Sequence, residues 1–94
     1  MKIKIGGKKF KVKFIKGLVS DDSGIKLNGY INYQKSTIDI EKNLDKQAQE
    51  IVILHEIIHG VLDHAGQEHD EVCVDIISRG IYQVLRDNYN FRLL

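Results

Sequence analysis

The apolar residues of this chain change their spacing once, at about Leu44, and this change limits the folds that the chain can adopt. In the stretch KKFKVKFIK, which begins at Lys8, lysines alternate with apolar residues, as in a strand with one solvated and one buried face. After Leu44 the apolar residues recur at the spacing of a helix: Ile51, Leu54, Ile58, Val61 and Ala65. Strands followed by helices predict an α+β fold.

The N-terminal half predicts a small sheet of about four strands. KIKI, GG and KKFKVKFIK read in order as a hairpin, and we expect Phe10, Val12 and Phe14 on its buried face. YINYQ and STIDIE predict two further short strands. The whole chain, residues 1–94, is the length of a single domain. A domain of this size has a small hydrophobic core, so a bound metal ion would add useful stability.

Two antiparallel helices are expected after the strands, covering one face of the sheet. The first begins at about Leu44 and is stopped by Gly66, and the second runs from about residue 70 to residue 88. The second helix is apolar over a wide arc: Cys73, Ile76, Ile77, Ile81 and Val84. We expect the Cys73 side chain to be buried there as a small apolar group.

The first helix carries an HExxH motif at residues 55–59. Residues four apart lie on one face of a helix, so the imidazoles of His55 and His59 can meet one Zn²⁺ at about 2.0–2.1 Å. Glu56 projects about 100° further around the helix, which suits contact with a reacting water molecule better than metal ligation. The competing interpretation is that the two histidines fill a polar edge of an amphipathic helix.

A zinc site requires a third protein ligand, and six acidic or imidazole side chains follow the motif: Asp63, His64, Glu68, His69, Asp70 and Glu71. If the helices reverse direction at Ala65–Gly66, Glu71 falls opposite His59, and Asp75 falls opposite His55. We therefore predict Glu71 as the third ligand and Asp75 as the acceptor for the Nδ1–H of His55. The competing interpretation of Glu71 and Asp75 is an acidic strip in water.

The remaining candidates are separated less sharply by the sequence. His64 falls on the far side of the first helix from the HExxH histidines, which favours a surface or helix-capping position. His69 and Asp70 stay open as further metal contacts. A donor that stabilises an oxyanion is usual in hydrolytic sites, and Tyr82, Arg79 and His64 are candidates for it, with a core or surface position favoured for Tyr82.

Charge is spread unevenly along a chain whose net charge is only +1. Residues 1–16 contain seven lysines and no acid, whereas residues 47–78 contain seven acids and neither lysine nor arginine. We expect the lysines to form a solvated face and not to bind nucleic acid, because no aromatic residue shares that face. Nucleic-acid binding with a steep dependence on salt is the opposing hypothesis.

Cysteine content and the N-terminal segment bear on the cellular compartment. The single cysteine cannot form an internal disulfide, as is typical of a reducing compartment. MKIKIGGKKF has no long apolar run of the kind found in secretion signals and membrane spans. We therefore expect a cytoplasmic protein with no membrane partner.

Over roughly residues 28–88 the chain resembles zincin-like metallopeptidases of the gluzincin type. HExxH followed by Glu-x-x-x-Asp on the next helix resembles the minigluzincins, and STIDIEKNLDKQAQEIVILHEIIHG resembles the ImmA/IrrE-type metallopeptidases of phages and mobile elements. The segment DEVCVDIISRGIYQVLRDN is similar to small phage- and prophage-encoded zincin-like proteins. In these proteins a strand leads into the HExxH helix, and a glutamate of the following helix completes the site.

The resemblance implies a zinc-dependent metallopeptidase that acts on a protein or peptide substrate. His55, His59 and Glu71 would hold Zn²⁺, and Glu56 would act as general base. It also suggests that the strand Ser36–Glu41 binds substrate as an added strand. The alternative function is a zinc-stabilised binding module of phage origin without catalysis, with His69 or Asp70 closing the fourth ligand position.

Overall fold

The computed structural model describes all 94 residues and contains four strands followed by two helices. The elements in chain order are β1 (Lys2–Ile5), β2 (Lys8–Ile15), β3 (Gly29–Asn32), β4 (Thr37–Glu41), α1 (Lys46–His64) and α2 (Glu71–Tyr89). The predicted α+β fold is therefore confirmed, with elements close to their expected bounds. Neither helix combines the length and the apolar content that crossing a bilayer requires.

The four strands form one mixed sheet in the order β1-β2-β4-β3. β1 and β2 are an antiparallel hairpin, β2 runs parallel to β4, and β3 is antiparallel to β4. The parallel pair requires a crossover, which the loop and β3 between them supply. β4 is therefore internal, and β1 and β3 are the two edges of the sheet.

α1 covers one face of this sheet and encloses the core with it. The core comprises seven buried apolar side chains: Ile5, Phe10, Val12, Ile31, Ile38, Ile40 and Ile53. Gly60 allows the close approach of α1, because a Cβ there would lie 2.8 Å from the Cδ1 of Ile5. The expected burial of Phe14 is wrong: its side chain lies near the end of β2 and is 37% exposed.

α2 packs against α1 and contacts no strand, so it forms an outer layer and does not cover the sheet as expected. The residues that it buries are Val74, Ser78 and Tyr82, which share one side of the helix at four-residue spacing. The expected burial of Cys73 is also wrong, because Cys73 lies on the opposite, exposed side of α2. The contact with α1 thus determines which side of α2 is buried. The apolar arc of α2 points outward, away from α1.

Caps define where both helices begin. Asp45 caps α1 by accepting a hydrogen bond from the Ala48 N–H at 2.8 Å, and Asp70 caps α2 by accepting one from the Val72 N–H at 3.3 Å. The chain leaves α1 through Gly66, whose φ of +71° lies in the left-handed region that glycine adopts without strain. The short connection that follows returns α2 antiparallel to α1.

A buried carboxylate connects the two helices to the C-terminal residues. Glu50, on α1 and only 1% exposed, accepts hydrogen bonds from the Tyr82 hydroxyl at 2.8 Å and from the N–H groups of Leu93 and Leu94 at 2.5 and 3.1 Å. Burial alone would raise the pKa of Glu50, but these hydrogen bonds outweigh it and hold the pKa below its ordinary value. The ionised carboxylate therefore stabilises this end of the fold.

We predict that Glu50→Gln destabilises the fold by about 1–3 kcal/mol at neutral pH, because it removes a charged acceptor from three donors. A pKa lowered by folding contributes stability that is present above the unfolded value of about 4.3 and is lost as pH falls through the folded value. The difference between Glu50→Gln and the wild type should thus shrink below about pH 4. Urea unfolding followed by circular dichroism checks this, with the exposed Glu68→Gln as control; a difference that is constant with pH contradicts the prediction.

Candidate metal centre

The two histidines of HExxH lie one turn apart on the side of α1 that faces the start of α2. Their Nε2 atoms are 3.2 Å apart, and their side chains are 12% and 10% exposed for His55 and His59. Burial is the main cause that lowers the pKa of His59. A neutral imidazole offers a lone pair to a metal ion, so the arrangement suits cation binding.

Glu71 is the first residue of α2, and its carboxylate spans the two imidazoles. Its Oε1 lies 2.6 Å from the Nε2 of His55, and its Oε2 lies 2.8 Å from the Nε2 of His59. The Asp70 cap and the reversal at Gly66 bring Glu71 to this position. No other three His, Cys, Asp or Glu side chains in the molecule converge in this way.

These three side chains fit a divalent transition-metal ion. Two imidazole nitrogens and one carboxylate are a donor set that catalytic zinc sites use, with a fourth position for water or substrate. The observed separations of 2.6, 2.8 and 3.2 Å are near the roughly 3 to 3.5 Å expected between ligands of one tetrahedral zinc ion. The Glu71 side chain is 73% exposed, so the donor cluster is open to solvent on one side.

Asp75 lies one turn beyond Glu71 and faces the other edge of the His55 ring. Its Oδ1 is 3.6 Å from the Nδ1 of His55, beyond direct hydrogen-bond distance but close enough for electrostatic attraction. Its Oδ2 accepts a hydrogen bond from the Nε of Arg79 at 3.1 Å. The carboxylate thus favours a proton on Nδ1 of His55, which leaves Nε2 free to face Glu71.

His69 has the corresponding position beside His59. The Nδ1 atoms of the two rings are 2.5 Å apart, while the Nε2 of His59 faces Glu71. If His59 donates its Nδ1–H to His69, its Nε2 lone pair is directed into the donor cluster. The structure therefore brings neither of the open candidates into that cluster, since Asp70 is occupied as the cap of α2.

Glu56 is buried beside the donor cluster, with 7% of its surface exposed. Burial, and then the negative charge of Glu71, raise the pKa of Glu56 to about 7. Its side chain approaches the start of β3, where a Cβ on Gly29 would lie 3.2 Å from the Oε2 of Glu56 and 2.4 Å from the Cγ1 of Val52. Gly29 thus permits strand and helix to meet at the carboxylate.

Most of these groups line one cleft of about 250 Å³ between α1, α2 and the segment that leads into β3, whereas His59 and His69 lie beside it. His55, Glu56 and Glu71 form one part of its wall, and Lys26 and Arg79 add positive charge. A larger cavity of about 420 Å³ lies on the other face of the sheet and is lined by no histidine or glutamate. The smaller cleft is therefore the one that residues of the HExxH motif line.

The edge strand next to the cleft is β3, not the strand that sequence analysis suggested for peptide pairing. β4 is hydrogen-bonded on both sides, so the Ser36–Glu41 segment has no free edge. The N–H of Glu41 donates to the carbonyl of Asn28, and alternation along an antiparallel pair then leaves the N–H and C=O of Gly29 and Ile31 directed outward. These N–H and C=O groups are therefore available to form hydrogen bonds with an extended peptide at the cleft.

Two of the three candidate oxyanion donors lie away from the cleft. Tyr82 is 2% exposed, and its hydroxyl is engaged by Glu50 and by Arg86. The His64 ring occupies the space over Gly6 in the β1–β2 turn, where a Cβ would lie 2.4 Å from it. Arg79 remains, because it lines the cleft.

Sequence reasoning missed Gly29 and the orientation of His69. The glycine of LNGY reads as an ordinary turn residue in the sequence, and only the approach of α1 shows why a side chain does not fit there.

Comparison of the chain with models of known protein families, with curated proteins and with solved structures finds no match. Function is therefore inferred from the geometry of the cleft.

We predict that Glu71→Ala lowers zinc affinity far more than His64→Ala, because only Glu71 contacts both Nε2 atoms. His69→Ala should fall between them, with a loss of about 10- to 100-fold, since it removes the partner that orients His59. Competitive titration with a chromophoric chelator measures all three variants against the wild type. A loss at His64→Ala that equals the loss at Glu71→Ala would mean that the ligand set is different.

Proposed function

We propose that this protein is a zinc-dependent metallopeptidase of the gluzincin type. The observation that supports this most directly is the convergence of His55, His59 and Glu71 at an open cleft. His55, Glu71 and the buried Glu56 line this cleft. His55, His59 and Glu71 would hold the ion. A bound zinc ion supplies Lewis acidity, which makes water a usable nucleophile near neutral pH and polarises a carbonyl group.

Glu56 acts as the general base and then as the general acid in this proposal. It takes a proton from the attacking water as the water oxygen bonds to the scissile carbonyl carbon. When the C–N bond breaks, it delivers that proton to the leaving amine nitrogen. Its buried position beside the cleft shields it from bulk water.

The surrounding residues hold the reacting groups in position. Asp75 and His69 fix the imidazole tautomers from the outer edges of the two rings. Arg79 lines the cleft and, although its Nε is bonded to Asp75, its terminal nitrogens remain as donors for a developing oxyanion. The outward N–H and C=O groups of Gly29 and Ile31 bind the substrate peptide as an added strand.

The cytoplasm is the proposed compartment, in a bacterium or in a cell infected by phage. Cys73 is a free, exposed thiol, as is common in reducing compartments. The second candidate function is the zinc-stabilised module without turnover. The structure supports this module less, because His69 contacts the Nδ1 edge of the His59 ring and does not enter the donor cluster.

We predict that Glu56→Gln binds zinc as tightly as the wild type but cleaves about 10²- to 10⁴-fold more slowly, because the amide keeps the shape and loses the base. The measurement pairs zinc content by mass spectrometry with cleavage of a fluorescently labelled unfolded casein. Glu68→Gln, which removes the same charge from an exposed loop, should leave both values unchanged.

Three results would count against this assignment. A wild type that holds zinc and is stabilised by it, yet cleaves no unfolded protein, would favour the binding module. A Glu56→Gln variant that cleaves normally would remove Glu56 as the base. A wild type that binds no zinc would end both proposals.

A further inference from the structure

The outward side of α2 carries an apolar surface that nothing in the protomer covers. This surface, which we call the outer stripe, consists of seven residues in two adjacent rows at four-residue spacing: Val72, Cys73, Ile76, Ile77, Gly80, Ile81 and Val84. Its five valines and isoleucines are between 43% and 65% exposed, and it contains no charged residue. Contiguous apolar patches of this kind usually mark interaction sites.

Gly80 lies in the middle of the outer stripe and has no role within the protomer. Glycine is a poor residue for a helix interior, because it costs backbone entropy and gives no side-chain packing. A Cβ on Gly80 would meet no atom within 4 Å, whereas a Cβ on Gly60 of α1 would collide with Ile5. The missing side chain at Gly80 therefore leaves room for something outside the chain.

We propose that the outer stripe is the interface of a homodimer, in which α2 packs antiparallel against α2 of a second copy. A two-fold interface must be self-complementary. The outer stripe satisfies this requirement when the two-fold axis crosses it at the level midway between residues 78 and 79 along α2. Ile77 of each copy then lies over Gly80 of the other. Cys73 of each copy meets Val84 of the other, so this pair also occurs twice, while Ile76 and Ile81 line the two flanks of the contact.

The antiparallel arrangement follows from where the glycine lies. In a parallel pair Gly80 would face Gly80 and leave a void, while the isoleucines would face each other. The antiparallel pair places a large side chain against the small one at both positions, as close packing requires. Each copy contributes an apolar area on the order of a few hundred Å², so two copies with their polar rims approach the roughly 1,000 Å² of a small specific interface.

Such a dimer leaves the candidate metal centre accessible. Glu71 and Asp75 project from the side of α2 that faces α1, whereas the outer stripe projects away from α1. The dimer does not depend on the proposed peptidase activity. It also gives α2, which contacts no strand, a second packing surface.

Sedimentation equilibrium of the zinc-free protein from micromolar to submillimolar concentration tests the proposal. The wild type should approach twice its monomer mass of 10.8 kDa. Ile77→Lys and Gly80→Leu should each weaken dimerisation at least about tenfold while circular dichroism shows an unchanged fold. Val61→Lys, which alters an apolar side chain of α1 that is 50% exposed, is the matched control and should dimerise normally. A wild type that stays monomeric, or a Gly80→Leu variant that dimerises normally, would overturn the proposal.

Oxidative cross-linking tests the orientation. A mixture of the wild type, which carries Cys73, with a variant that combines Cys73→Ser and Val84→Cys should form a disulfide-linked dimer, because positions 73 and 84 meet across the two-fold axis. Either protein alone should cross-link at least about tenfold less under the same conditions. Efficient cross-linking by the wild type alone would indicate a parallel pair, and no cross-linking in the mixture would place the interface elsewhere; both results overturn the antiparallel dimer.

Discussion

The reversal of the chain between α1 and α2 is the constraint on which the candidate site depends. α1 ends at His64, Gly66 turns the backbone, and Asp70 caps α2 so that Glu71 becomes its first residue. Because the connection is short, the carboxylate of Glu71 reaches both Nε2 atoms of the HExxH pair. The length of this connection and the position of the Asp70 cap therefore determine which side chain of α2 faces the imidazoles.

The same reversal explains why the protein has two chemically different surfaces on one helix. The side of α2 that meets α1 carries the acidic residues of the cleft and the buried Val74, Ser78 and Tyr82. The other side carries the outer stripe, because α2 lies on α1 and contacts no strand. A helix in an outer layer has one packing partner, so any apolar residues beyond that contact remain exposed unless another molecule covers them.

Glu50 and Glu56 are two buried carboxylic residues of α1 with different surroundings. Glu50 accepts hydrogen bonds from Tyr82 and from two backbone N–H groups near the C-terminus. Glu56 is different, because it is buried beside a cleft and is raised in pKa by burial and by Glu71. A carboxyl group in such surroundings is suited to proton transfer, which is the role proposed for Glu56, whereas Glu50 has a structural role.

The sequence by itself determined the order of the elements and the spacing of the HExxH pair, because two-residue and helical periodicities are local properties of the backbone. It also placed Glu71 and Asp75 opposite the histidines, since a tight turn between two helices leaves little freedom. Only the tertiary structure decided that Phe14 and Cys73 are exposed, that β3 is the open edge, and that His69 faces the outer edge of His59. These properties depend on which surfaces pack together, and the local pattern does not specify that choice.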